Sequence, residues 1–144
     1  MQTFIPFKNI NKSIKCLDKK RLGKQRVEAI QIARALLGLS GGWKNHPATK
    51  MWLGYESYLV RVYLRKVMDR WLSLKCDNTK CELHYKQLIK LVSKKCKKPK
   101  WINKEFCISH QSNLLRKKPE YYKKYFKNVP NDLEYIWPSS AAVV

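Results

Sequence analysis

Acidic residues are what this 144-residue chain has least of, with 10 Asp and Glu against 31 Lys and Arg and a formal net charge of +21. A chain so short of carboxylate repels itself, and a polyanionic partner is the natural source of the missing charge. Glycine (5) and proline (6) are sparse, and no internal repeat is present, which excludes collagen-like and linker-like organisation. No apolar run approaches the ~20 residues that span a bilayer. The start, MQTFIPFKNI, also lacks the apolar stretch of a secretion signal. A soluble intracellular protein with no membrane partner is therefore expected. The cysteines, at 16, 76, 81, 96 and 107, are odd in number and irregular in spacing, a pattern that favours free thiols over a disulfide framework. Cys76, Cys81 and His84 cluster, yet no second pair of ligands follows, so no metal and no other cofactor is expected.

What is present is a core. Hydrophobic residues make up 44% of the chain, with 5 Trp, 8 Tyr and 4 Phe, too many aromatics for a basic disordered tail. The length suits one domain spanning residues 1–144. Its periodicities predict an all-α, compact helical bundle of four to five helices, with an extended N-terminal arm and an extended C-terminal strap.

The arm is Met1–Phe7, where Pro6 disfavours a helix and Phe4, Ile5 and Phe7 can pin the chain to the core. A pinned arm would fix the terminal amine of Met1, and an α-amino group is in general partly neutral at neutral pH and able to act as a nucleophile. An ordinary frayed terminus is the alternative. The first helix, Asp18–Leu39, has Asp18 as its cap and Gly38 at its end. At 100° per residue, Arg21, Lys24, Gln25 and Glu28 share one face, while Leu22, Ala29, Ala33, Leu36 and Leu37 form the core-facing arc. Gly23 inside this helix hints at close approach by another group. Glu28 is a carboxylate in a cationic setting; a structural ion pair with Lys24 or Arg21 is the competing explanation.

Ser40–Asn45 reads as a glycine-rich turn, followed by His46 and a second, mostly apolar helix over Ala48–Leu72 in which Tyr55, Tyr58 and Tyr63 are assigned to the core. A shorter helix is expected over Cys81–Cys96, then a loop in which Lys94, Lys95, Lys97, Lys98 and Lys100 crowd beside Trp101. The helix Lys104–Lys117, capped by Asn103, carries Phe106, His110, Asn113 and Lys117 on one side, with Arg116 beside them; His110 is either a ligand contact or a satisfied helix histidine. PEYYKKYF, from Pro119, interleaves Tyr121 with Lys123 and Lys124 in the basic and aromatic mixture of nucleic-acid surfaces. Val129–Pro138 is the strap, with Leu133, Tyr135 and Trp137 alternating, and Ser139–Val144 is expected to be loose.

Three blocks, LDKKRLGKQRVEA, HPATKMWLGYESYLVR and SHQSNLLRKKPEYYKKYF, resemble the pyrimidine-dimer glycosylase family of phage endonuclease V and its cellular and viral branch. The resemblance runs from MQTF to YIWP. It implies a DNA repair enzyme that excises a damaged base, a pyrimidine dimer, from double-stranded DNA, with possible AP-lyase strand cleavage. In that family the N-terminal amine attacks the sugar C1′, an imine forms, and a first-helix glutamate assists. Carried over, the amine is that of Met1, because Gln2 is too large for efficient trimming of the initiator. The family glutamate directly follows the first-helix arginine; here Leu22 follows Arg21, and Glu28 is the one carboxylate inside the helix. The implied catalytic residues are thus Glu28 and Met1, and the candidate DNA contacts are Arg21, Lys24, Gln25, Arg26, His46, His110, Asn113, Arg116, Lys117, Tyr121, Lys123 and Lys124. A monomer acting in the cytoplasm, the nucleoid or a site of viral DNA replication is expected. The alternative is a non-catalytic basic protein that binds or packages nucleic acid, for which the charge alone suffices.

Overall fold

The computed structural model describes residues 1–138, and the tail expected to be loose lies outside the described residues. Every regular element among them is helical. They are α1 (Ile10–Lys15), α2 (Lys19–Leu36), α3 (Pro47–Lys50), α4 (Glu56–Tyr58), a π-helical segment Leu59–Leu64 that runs on into α5 (Arg65–Ser73), α6 (Thr79–Ile89), α7 (Lys104–Lys117) and α8 (Pro119–Tyr122). No helix among the described residues is long and apolar enough to cross a membrane.

The organising helix is α2. Asp18 caps it by accepting the Arg21 N–H, and Gly38, at φ 77°, takes the left-handed turn just beyond its end. Its buried side, including Leu22, Ala29, Ile32 and Ala33, packs against the π-helical segment, α3, α5 and α6. Gly23 meets the expected close approach in Trp71 of α5, whose ring would lie 3.0 Å from an added Cβ. Trp71 cannot retreat easily, because its Nε1 donates to Asp77 O at 2.8 Å and the Arg26 guanidinium lies 4.2 Å from its ring centroid.

The single helix expected over Ala48–Leu72 is divided. Gly54 sits at φ 88°, a conformation that ends α3 and its turns, and its N–H is accepted by Glu56 Oε1 at 3.0 Å as the chain restarts. The expected Cys81–Cys96 helix stops at Ile89. Arg61 binds the carbonyls at that end: its Nη2 donates to Ile89 O and Val92 O, and its Nε to Ser93 O at 2.8 Å. Helix α1 is an addition. Asn9 caps it by accepting the Lys12 N–H at 3.0 Å, and Ile10 and Ile14 are buried beneath it. By contrast α7 has the expected bounds, with Asn103 accepting the Phe106 N–H at 2.9 Å.

The N-terminal arm passes through the core rather than over it. Gln2 to Pro6 are all buried, and side chains from four directions hold their backbone and hydroxyl groups. Gln25 Oε1 accepts the Phe4 N–H at 2.7 Å, His110 Nδ1 accepts the Ile5 N–H at 2.9 Å, and Gln111 Nε2 donates to Pro6 O at 2.7 Å. Trp52 Nε1 donates to Thr3 Oγ1 at 2.9 Å. A buried extended segment with no strand partner needs such bonds, since each orphaned backbone group would cost about 1–3 kcal/mol. These bonds set Ile5 beside His110 and Pro6 beside Gln111 of α7. The strap lies along the same helix: Ser112 Oγ accepts the Leu133 N–H at 3.0 Å, and Asn113 Nδ2 donates to Leu133 O at 3.1 Å.

Candidate active site

Glu28 lies on the third turn of α2, half-buried. Loss of surrounding water pushes its carboxyl above the ordinary 4.5, against the pull of the Met1 amine first and then of Arg21, Lys24 and Lys117. Desolvation prevails, as for a carboxylate drawn partly out of water. Glu28 belongs to none of the ion pairs within 4.0 Å among the described residues, which are Arg65 with Asp69 and Glu82, Lys118 with Asp18, and Lys123 with Glu120. The competing structural ion pair with Lys24 or Arg21 is thus not formed.

Gln25 is fully buried and links the carboxylate to the arm. Its Nε2 donates to Glu28 Oε2 at 2.8 Å and to Gln2 O at 2.9 Å, while its Oε1 accepts from Phe4 N and lies 2.8 Å from the Tyr63 hydroxyl. One amide nitrogen therefore bridges the acid and the residue that follows the terminal amine. The π-helical segment delivers Tyr63 to this junction. Burial holds its phenol well above the ordinary range, so it stays a proton donor, to Gln25 Oε1 or to Phe4 O.

Cationic side chains ring the acid. Arg21 lies with its guanidinium carbon 5.4 Å from the Phe4 ring centroid. Lys117, at the end of α7, has its ammonium pushed below its ordinary range by partial burial and by Arg21, with Glu28 opposing. Arg116 is turned along the strap, donating to Asn131 O at 2.7 Å and Leu133 O at 3.0 Å. Tyr135 completes this side, its phenol raised chiefly by burial and influenced by Arg21, Arg116 and Glu28. Opposite them His46 caps α3, its Nδ1 accepting the Ala48 N–H at 3.0 Å. Partial burial, and then the nearby Met1 amine, lower its pKa, so it is neutral at neutral pH.

Met1, Arg21, Lys24 and Lys117 thus bear on Glu28, His46 lies within the field of the Met1 amine, Arg116 is engaged by the strap, and Gln25 links Glu28 to the arm. Other candidates lie elsewhere. Arg26 faces α6, donating to Asn78 Oδ1 at 2.8 Å. His110 is fully buried, 4.1 Å from the Phe106 ring, and burial lowers its pKa to about 3, so it is an anchor of the arm. Asn113 is buried and ties α7 to the strap. Tyr121, Lys123 and Lys124 lie at the N-terminal end of α2, where Tyr122 bonds Asp18; ten residues of helix, about 15 Å, separate Asp18 from Glu28. Lys124 rests 4.4 Å from the Tyr121 ring, and both lysines are exposed. From sequence Tyr63 is assigned to the core and Tyr135 to the alternation of the strap; neither they nor the Gln2 carbonyl are assigned a place at the site.

The site thus sets a terminal amine and a half-buried carboxylate among cationic side chains. Residues 1–92 match the family model of pyrimidine dimer DNA glycosylase, and the chain belongs to that family. No curated protein and no solved structure matches it. The matched span contains Met1, Gln25, Glu28 and His46; Lys117, Arg116 and the strap lie beyond it.

Proposed function

We propose that this chain is a monomeric DNA repair glycosylase that releases a damaged pyrimidine, a pyrimidine dimer by family, from duplex DNA, with the Met1 amine as nucleophile and Glu28 as its partner. The observation that carries the reading is the Gln25 bridge, which holds the second residue of the chain and the Glu28 carboxylate on a single nitrogen. The amine lone pair bonds to C1′ as the C1′–base bond breaks. The base leaves with the electron pair of the broken C1′–N bond and takes up a proton. Positive charge developing on the sugar lies against Glu28, where the partly dry site strengthens its effect. The nitrogen loses its two protons and O4′ takes one up as the C1′–O4′ bond breaks and the sugar ring opens, which gives a C1′=N imine. Removal of a C2′ proton then expels the 3′ phosphate, which is the lyase step. Arg21, Lys24 and Lys117 hold flanking phosphates, and the energy for unstacking the target, a few kcal/mol, comes from those contacts.

Glu28→Gln keeps an acceptor for Gln25 and removes the charge. Base release from a dimer-containing duplex is expected to fall about 10²- to 10⁴-fold with DNA affinity unchanged or higher. Near-normal release by that variant would remove Glu28 from the mechanism. A protein that only binds or packages DNA would yield no abasic product in wild-type form either.

A further inference from the structure

Trp43 is an outlier on this surface. Its backbone lies at φ 64°, the left-handed region that bulky side chains seldom occupy, yet the residue is 48% exposed and flanked by exposed Gly42 and Lys44. A strained backbone that displays an aromatic ring without burying it is a feature found at functional sites. The ring meets His46 edge to face at 5.6 Å, and His46 meets Trp137 edge to face at 6.1 Å. Trp137 comes from the strap, is 36% exposed, and borders a 520 Å³ recess with Tyr55, Lys100 and Trp101. The turn before α3 and the far end of the strap thus converge on one imidazole. That imidazole also lies within the field of the Met1 amine.

We propose that Trp43, His46 and Trp137 form a ledge that receives one unstacked nucleobase of the DNA held at the Met1 and Glu28 site. The proposal rests on the glycosylase reading above. An unstacked base has two apolar faces that need a π surface, and indoles supply one without regard to sequence. The occupant is a nucleobase rather than an apolar peptide because cations border the ledge: Lys44 adjoins Trp43, Lys100 borders the Trp137 recess, and Arg21 and Lys24 act on Glu28 at the site beyond it. Such cations suit a base carried on a phosphate backbone. His46 contributes an edge contact: with Nδ1 accepting from Ala48, its neutral ring carries the proton on Nε2 and offers a donor to a base.

The test uses the full chain bearing Glu28→Gln, so that turnover is slow relative to binding, and duplexes with a thymine dimer and 2-aminopurine placed in turn opposite, 5′ and 3′ to it. At one position the fluorescence of the complex is expected to be quenched by an indole and to brighten when Trp43→Ala or Trp137→Ala is added. The same alanine changes should weaken binding to the dimer duplex by about 10- to 100-fold. Binding to undamaged duplex should be little changed, and Trp43→Phe should restore most of the loss. Equal losses on both duplexes, or no change in affinity and quenching, would overturn the ledge. Wild-type base release on the same duplexes reads the catalytic proposal separately: release without any ledge signature sinks the ledge alone, and absence of release sinks the glycosylase reading.

Discussion

Replacing Gln25 with leucine would remove the bridge between the arm and Glu28 while keeping side-chain bulk. The Phe4 N–H and the Gln2 carbonyl would lose their partners in a buried setting, at about 1–3 kcal/mol each. Thermal unfolding of Gln25→Leu should therefore show a loss of about 3 kcal/mol or more, and base release should fall through kcat more than KM. A variant with normal kcat would show that the bridge is structural only. Glu28 behaves in the opposite sense. Its folded-state pKa is raised, so its carboxyl favours the fold when protonated, and that contribution disappears as pH rises through the raised value. Glu28→Gln should accordingly unfold at the same or a higher temperature at neutral pH while losing activity. The acid limb of the wild-type rate profile should lie above the ordinary carboxylate value of 4.5. At this scale the shared face of Arg21, Lys24, Gln25 and Glu28 was legible from helical spacing. The burial of Gln25 was not, because it depends on an arm arriving from outside the helix. Leu22, directly after Arg21, is 1% exposed. The helix presents Leu22 to the core, and Glu28 stands six residues further along at a half-buried position.

Helix α7 and the arm stabilise each other through His110, and this coupling has a pH signature. The ring must be neutral for Nδ1 to accept the Ile5 N–H, and its folded-state pKa is lowered from 6.5 to about 3. The stability this neutral ring confers is fully present above pH 6.5 and is lost as pH falls towards 3, with a slope of up to about 1.4 kcal/mol per pH unit. Denaturant melts between pH 7 and 4 should show this decline, and it should be absent in His110→Gln, whose amide can accept the same bond without titrating. Persistence of the slope in that variant would place its source elsewhere. Caps made α2 and α7 readable in sequence, since Asp18 and Asn103 stand where their helices begin. The division of the central apolar run was harder to read: apolar residues continue on both sides of Gly54, and only its left-handed backbone interrupts them. Helix α1 has a similarly local signal in Asn9 and the spacing of Ile10 and Ile14, which the surrounding lysines obscure.

Across the whole molecule, the charge of +21 includes two groups along α2. Arg21, Lys24 and Lys117 surround Glu28, whereas Lys123 and Lys124 lie with Tyr121 at the other end of α2, so a duplex that lies along α2 can meet both. The family match ends at residue 92, yet α7 and the strap, beyond it, supply Lys117 and Tyr135 to the site. Three amines therefore act on Glu28, those of Met1, Lys24 and Lys117, and the chemistry is proposed for Met1. Borohydride reduction during turnover on a dimer-containing duplex, followed by peptide mapping of the trapped protein–DNA adduct, separates them. The adduct is predicted on the N-terminal peptide through the Met1 nitrogen, undiminished in Lys117→Met and abolished when the terminal amine is blocked. An adduct on the Lys117 peptide, or base release without any adduct, would contradict the account.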